Sequence, residues 1–561
     1  MKIRNKNKFF QTIFAVTLIL GSFSCKDKLD VGNPNAPTIE ANVNTEAGIV
    51  SLAQGGVYFN GFKNGDDWLG NSYFSLPWGY SELLADNVSA DASNNQVASI
   101  GVANYFILDD GTKVTNNAPS ISILRTYNTR SATGAGNNVT YYQWLNMYSL
   151  NNACNTVLSL VDAIPFSGDA ASKIATVKAW CYWWKGYAYA SIGSMYYSGL
   201  IIDEAGTTNS NYVLHDAIIA KSDEYYNLAA TTIDGISSEA DYTDILGKLI
   251  PEFTQVGNGG IPTKEMWKRN INTMLARNIL VNKLAPFVNG NPNAVINKSS
   301  TTAITSADWN NILKLATAGI QKGDIVFTGR STSSNSNSFF TATGGTAASL
   351  ASGVNTSTTF KVQERFIQNF TTGDKRLTNN FNTGTTYRNN FSYTTRYSQI
   401  DGGNGEAGVF VYGNRNVGEY ELIIAGSYEE NALMLAEANI RLGNIEAGLG
   451  YIDAVRTYMG AGVAAVAGKG LSLAGALTEL VKERRVSLVY RGLSFYDNRR
   501  WGWTYDIANG GGSYGNTVVT TAGVVNKNVT INYNFLDYWD VPADESVLNP
   551  STGAATMNPN F

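Results

Sequence analysis

The sequence predicts a mainly α-helical protein: a helical-repeat scaffold carrying an irregular, loop-rich subdomain, with little β-structure. Three observations carry this. Two separate blocks each hold a pair of segments in which apolar residues recur every three or four positions, the spacing of a buried helix face. Small residues stand at matched places across one of those pairs, where two helices must approach closely. Between roughly Thr328 and Gly426 that periodicity gives way to a long Ser-, Thr-, Asn- and Gly-rich stretch.

The first pair begins after the turn-like Gly136-Asn137-Asn138. One helix runs through Trp144, Leu145, Tyr148, Leu150, Ala153, Val157, Leu158 and Val161. Pro165 to Asp169 reads as a turn. The second helix carries Ile174, Val177, Trp180, Trp183, Trp184, Tyr187 and Ile192. Cys154 and Cys181 lie about equally far from the turn, so an antiparallel hairpin puts them at the same height. In an oxidising compartment they could bridge; two buried thiols are the alternative.

The second pair comprises Tyr428 to Leu442 and Ile445 to Met459, broken by Gly443-Asn444. Ala436 and Gly448 sit twelve residues apart across that break, the spacing of the close-packing positions in a tetratricopeptide repeat. Further helices are expected over Asp223–Ser237, Lys264–Leu284 and Asp308–Ile320. The block at about 328–426 holds Phe339, Phe340, Tyr387, Phe391, Tyr393 and Tyr397. That many aromatics argue against disorder, so it reads as an irregular subdomain packed on the helices.

The N-terminus has its own logic. Lys2, Arg4, Lys6 and Lys8 precede a short apolar stretch from Phe9 to Leu20, too short to span a bilayer, which takes ~20 apolar residues. This is the pattern of an export signal. It ends in Gly21-Ser22-Phe23-Ser24-Cys25, where a small residue before cysteine resembles a bacterial lipobox, although Ser22 replaces the usual aliphatic residue. We therefore expect a signal peptide over 1–24, acylation of Cys25 as the membrane anchor, a polar tether over 25–40 and one folded domain over 41–561.

Composition narrows function. Charged residues are 15% of the chain and the formal net charge is −4, with no basic stripe to hold nucleic acid. The one histidine, His215, sits in a polar stretch and reads as a surface residue, which leaves little for a catalytic triad or a multi-histidine zinc site. No catalytic residue, metal site or cofactor is expected. The 31 Tyr and 11 Trp serve equally as core residues and as stacking surfaces.

Three segments together resemble one family. Glu483-Arg484, then Asp497, Arg500 and Trp501, match a helix with Glu-Arg followed by an Asp-x-x-Arg-Trp-like stretch. Val541-Pro542-Ala543-Asp544-Glu545, Asn549-Pro550 and the terminal Asn558-Pro559-Asn560-Phe561 match a characteristic ending. Glu82-Leu83-Leu84-Ala85-Asp86-Asn87, with the Leu29-Asp30…Asn33-Pro34 opening, is the third. The chain is similar to SusD/RagB proteins of Bacteroidetes, departing where a common Glu-Gly-x-Arg element reads Arg491-Gly492-Leu493-Ser494. Glu483, Arg484, Asp497, Arg499 and Arg500 themselves are read as internal ion pairs that lock the last helices.

The resemblance implies a surface-exposed, lipid-anchored outer-membrane protein that binds a nutrient, commonly an oligosaccharide, and delivers it to a TonB-dependent, SusC-like β-barrel transporter. It implies loops on the ligand side, helices toward the transporter and no enzymatic activity. Sugar rings stack C–H faces on aromatics while amides bond their hydroxyls. The candidate ligand residues are therefore Trp68, Tyr73, Trp78 and Tyr80, with Asn94, Asn95 and Gln96 after them, and Tyr387, Tyr393 and Tyr397 in the middle block. A helical scaffold that binds another protein, and a glycoside hydrolase using two carboxylates, are the competing readings.

Overall fold

The structure is a computed structural model that describes residues 43–56, 79–90, 99–116, 120–130, 138, 140–285, 295–329, 360–387, 393–400, 402–403, 411–413 and 421–561. The expected signal peptide over 1–24, Cys25 and the expected tether over 25–40 lie outside these residues.

Helix α1 (Glu46–Gln54) and the short α2 (Gly79–Leu84) precede the first hairpin, α3 (Tyr141–Leu160) and α4 (Ala170–Met195). Asp169 caps α4 by accepting from Ser172 N, as an N-cap acidic residue should. α4 is buried on nearly every side, so it shows little amphipathicity and acts as the central post of the array. Then follow α5 (His215–Asp234), α6 (Glu239–Leu249), α7 (Lys264–Val281) and α8 (Ser306–Thr317). The series ends in α9 (Tyr428–Arg441), α10 (Ile445–Tyr458), α11 (Leu473–Ser487) and α12 (Ser494–Arg500). Each helix from α3 to α5 packs on the next, α5 passes the contact to α7, and α7, α8, α9 and α10 continue it. The predicted mainly α, tetratricopeptide-like scaffold is what the chain forms.

The close approaches come where small residues stand. A Cβ on Gly448 would meet Ala436 O at 2.6 Å and Ile440 Cγ1 at 2.5 Å, so α10 lies directly on α9. A Cβ on Gly186 would strike the Tyr226 ring at 2.7 Å, the equivalent contact between α4 and α5.

The core around α4 is aromatic. Phe327 lies among Trp180, Trp183, Trp184 and Trp267, with ring centroids 4.8 to 6.0 Å away. Trp183 Nε1 donates to Asn270 Oδ1 at 3.0 Å, which satisfies its one polar atom. Lys185 is wholly buried beside it and donates to Asn151 Oδ1 at 2.8 Å and to Asn155 Oδ1; burial holds its pKa down. Cys154 and Cys181 do face each other across the α3–α4 hairpin, as two free buried thiols. Burial pushes the Cys181 thiol up, and the neighbouring Cys154 adds to it.

Strands are short. β1 (Val88–Ala90) pairs with β4 (Phe360–Val362), once β2 (Tyr105–Ile107) and β3 (Lys113–Thr115) have been passed along the chain. β5 (Phe381–Tyr387) and β6 (Thr395–Gln399) form a hairpin inside the middle block. β7 (Ser513–Val519) and β8 (Val525–Asn532) join β2 and β3 in an antiparallel four-stranded sheet of order β7-β8-β2-β3. The chain end is tied down: Asn558 Nδ2 donates to Asp537 Oδ1 at 2.8 Å, and Arg125 Nε donates to Asp540 Oδ2 at 3.0 Å.

His215 departs from expectation. It is buried, stacked on Tyr538 at 3.8 Å, with Nε2 3.2 Å from Ser300 O. The polar residues beside it in sequence face out, while the first turn of α5 directs the imidazole against a ring supplied by the distant C-terminal segment.

Candidate functional site

The middle block and the Glu82–Asn87 motif meet in a small region that the β1–β4 ladder organises. Val88 lies opposite Val362 and Ala90 opposite Phe360, so the strand that follows the Glu82–Asn87 motif is paired with the middle block. β6 packs against β4 and carries Arg396 and Tyr397. Tyr397 is half-buried, opposite Thr383 of β5. Tyr393 is half-buried and meets Phe106 edge-on at 4.5 Å; burial pushes its phenol pKa up. Tyr387 lies on β5 opposite Thr395.

Arg396 is fixed by a bidentate pair with Glu364, Nε to Oε1 at 3.0 Å and one terminal nitrogen to Oε2 at 2.8 Å. The hydrogen bonds to Glu364 are the main reason its pKa rises. Its side chain stays 42% exposed, a positioned donor at the surface.

Beneath this region the Glu82–Asn87 motif acts as a knot. Asp86, in a left-handed conformation with φ of 58°, accepts from Arg365 and from the Tyr533 hydroxyl. Glu82 accepts from Asn87 Nδ2 at 2.7 Å, Ser494 Oγ at 3.0 Å and Tyr490 N at 3.1 Å. Burial outweighs those bonds and pushes the Glu82 carboxyl up to about 7. Ser494 and Arg491, where the family pattern departs, both have partners: Ser494 on Glu82, and Arg491 on Glu429 at 3.0 Å.

The signature helices are held by ion pairs, as their sequence suggests. Glu483 receives Arg376 at 2.7 Å and Arg456 at 2.8 Å, and Asp374 takes the other edge of Arg376. Arg484 and Arg500 share Asp497, and Arg500 also grips Glu437 at 2.7 Å. Arg499 donates to three carbonyls, those of Ser194, Asp537 and Val281. These groups spend their hydrogen bonds on the protein, so they position the site and do not line it.

Of the sequence-predicted site residues, Tyr387 lies on β5, Tyr397 on β6 and Tyr393 just before β6. Tyr80 does not join them: it is 3% exposed in the core beside Trp539, and burial drives its phenol pKa far up. Trp68, Tyr73, Trp78, Asn94, Asn95 and Gln96 lie outside the described residues. Arg396 and Glu364 were missed as a pair, because nothing in the spacing of residues 364 and 396 announces their contact. Among the described residues no group of three or more His, Cys, Asp or Glu is placed to hold a metal, and no helix is long and apolar enough to cross a membrane.

Comparison with known proteins adds three findings. Residues 305–552 match the SusD family model. A search of curated proteins finds no match. Among solved structures, a SusD-like carbohydrate binding protein from Bacteroides fragilis is similar with a TM-score of 0.56 at 13% identity, over 91% of this chain and 99% of the other. A SusD superfamily protein from Bacteroides vulgatus gives 0.54 at 13%, over 92% and 99%. A putative sugar binding protein from the same species gives 0.51 at 15%, over 91% and 98%. At such identities the structures speak for the fold alone, and the similarity to the SusD family is carried by residues 305–552.

Proposed function

We propose that this protein is a lipid-anchored outer-membrane receptor that binds a nutrient, an oligosaccharide, on its loop side and passes it to a TonB-dependent, SusC-like β-barrel. It performs no chemistry on the ligand. The observation that supports the reading is the β5–β6 hairpin packed against β4, which bears Tyr387, Tyr397 and a positioned Arg396, with Tyr393 just before β6. Half-buried Tyr393 and Tyr397 offer ring faces to sugar C–H groups, and Arg396 offers hydroxyl-directed donors. Of the remaining candidates, Trp68, Tyr73 and Trp78 precede α2 in sequence, and Asn94, Asn95 and Gln96 follow β1. Cys25 is the anchor, following a signal peptide over 1–24 and preceding a tether over 25–40; residues 41–561 form the single receptor domain.

The test is calorimetric titration of the mature chain with purified oligosaccharides, with product analysis alongside. Binding without hydrolysis is expected, weakened about tenfold by Trp78→Ala or Tyr397→Ala while thermal stability holds, since an aromatic stacking contact is worth about 1.4 kcal/mol. Affinity unchanged by Trp68→Ala, Trp78→Ala and Tyr397→Ala together would remove the loop side from the proposal. Mass spectrometry of membrane fractions that finds an unmodified Cys25 would remove the anchor.

A further inference from the structure

A cavity of about 470 Å³ opens between α11 and β7, lined by none of Tyr387, Tyr393, Arg396 or Tyr397. Its volume is within the range of about 300–1,000 Å³ that small-molecule sites occupy. Trp503 and Tyr514 line it together with Gln368, Asn516, Thr517 and Lys482.

Each aromatic is placed by a specific device. Trp503 lies 5.3 Å from Trp501 and carries the buried Arg485 guanidinium 5.2 Å from its ring centre, so the indole is held before any ligand arrives. Tyr514 sits in a β-bulge: β7 places two residues, Tyr514 and Gly515, between Ser513 and Asn516, where β8 places only Thr530 between Ile531 and Val529. Gly515, with φ of 69°, takes the left-handed turn the bulge needs. The bulge leaves Tyr514 50% exposed, and bulges commonly re-aim a side chain next to a functional site. An exposed tyrosine on a bulge, lining the same cavity as a braced tryptophan, is an uncommon arrangement for a merely structural surface.

The polar lining is amide and hydroxyl. Gln368 Oε1 accepts from Thr517 N at 2.6 Å, which leaves its amide nitrogen to donate to a ligand hydroxyl. Asn516 is fixed by Ser513 Oγ at 3.1 Å and Val529 O at 3.2 Å. The charged lining residues are Lys482, Glu437 and Arg441, and each has a partner: Lys482 pairs with Glu479 at 3.1 Å, while Glu437 holds Arg500 at 2.7 Å and Arg441 at 3.5 Å. A site with two ring faces, fixed amides and paired charges favours an uncharged, polyhydroxylated ligand with apolar faces.

We infer that the α11–β7 cavity, bounded by Trp503 and the bulged Tyr514, is a second binding site for a short neutral saccharide. This goes beyond the loop-side reading and uses none of its residues.

The experiment titrates the mature chain with cellotetraose, maltotetraose and, as an acidic counterpart, tetragalacturonate, by calorimetry and saturation-transfer NMR. The loop side is first disabled by Trp78→Ala with Tyr397→Ala. In that background a neutral tetrasaccharide still binds, and adding Tyr514→Ala weakens it about tenfold with the thermal midpoint unchanged, as befits a half-exposed side chain. Trp503→Phe, which keeps a ring beside Arg485, retains most of the affinity, whereas Trp503→Ala loses it. Absence of neutral-sugar binding in the loop-disabled protein, binding indifferent to both Tyr514→Ala and Trp503→Ala, or a preference for tetragalacturonate would each overturn the inference. If instead the loop-disabled protein binds as tightly as the parent and only Tyr514→Ala weakens it, the loop-side reading falls and this one stands.

Discussion

Around Trp183 the helical array is closed by rings, whereas around Glu483 it is closed by charges. In the first region Trp180, Trp183, Trp184 and Trp267 surround Phe327, and the cohesion is dispersion and apolar burial. In the second, Arg376, Arg456, Arg484 and Arg500 alternate with Glu483, Asp497 and Glu437 with almost no exposed surface among them. Apolar packing tolerates small errors of shape and is blind to pH. A buried ion-pair lattice fixes one geometry, and it turns costly as soon as a member is lost. The charged region is the one that carries β7, Trp503 and the knot beneath the β6 surface. The chain has put its direction-specific cement where side chains must be aimed.

Near-isosteric substitutions separate the two regimes most sharply. Glu483→Gln keeps the shape yet leaves Arg376 and Arg456 without their shared carboxylate, and should cost about 3–5 kcal/mol. Trp183→Phe trims the ring and abandons the bond to Asn270, and should cost only about 1–3 kcal/mol. Urea unfolding of both variants decides the matter. Equal costs would mean the ion pairs are no more exacting than the rings.

Acid provides the next test. Burial raises the Glu437 carboxyl, but Arg500 and its neighbours outweigh that and hold it down at about 2, from 4.5. A depressed carboxyl stabilises the fold above pH 4.5 and loses that contribution as pH falls toward 2, on the order of 3 kcal/mol. Glu82 works in the opposite sense. Its carboxyl, raised to about 7, makes the folded state the better proton binder between pH 4.5 and 7, so stability falls as pH rises through that window by a similar amount. Glu82→Gln should flatten the profile between pH 4.5 and 7 and leave the acid limb, where hydrogen exchange should loosen α9–α12 before α3–α5. An unaltered profile in Glu82→Gln would refute the assignment.

Much of this was readable from residue order, and the limits are instructive. The α3–α4 hairpin was legible because its apolar residues repeat at helical spacing and a Pro-Phe-Ser-Gly-Asp turn separates the two halves. The ion-pair lattice was legible in kind, since Glu483, Arg484, Asp497, Arg499 and Arg500 crowd into two short helices. Their partners Arg376, Arg456 and Glu437 were not, because they arrive from distant segments. The β7–β8 hairpin was overlooked although Val518, Val519, Val525, Val529 and Ile531 flank a turn at Gly523 with φ of 83°. Bulges at Asn516 break the strict alternation that marks a strand. His215 misled for a similar reason, its neighbours in sequence being polar while its neighbour in space is Tyr538.

The smallest expected effect probes the seam between repeat packing and helix propensity. Gly448→Ala places a better helix former in α10, a gain of about 1 kcal/mol by propensity. Against it stands Ala436 O, 2.6 Å from where the new Cβ must go, and a backbone carbonyl cannot swing aside as a side-chain tip can. Separating α9 from α10 to relieve the contact forfeits packing around Leu433 and Ile452 as well, and overpacking of this kind costs about 1–3 kcal/mol. The gain offsets only part of that cost, so a net loss of about 1 kcal/mol is expected in urea unfolding. A stabilised Gly448→Ala protein would show that the approach of α9 to α10 is looser than these distances imply. Because α9 also bears Glu437, the same variant should weaken the Glu437–Arg500 pair and shift the acid limb to higher pH, a change that no Trp183 variant should produce.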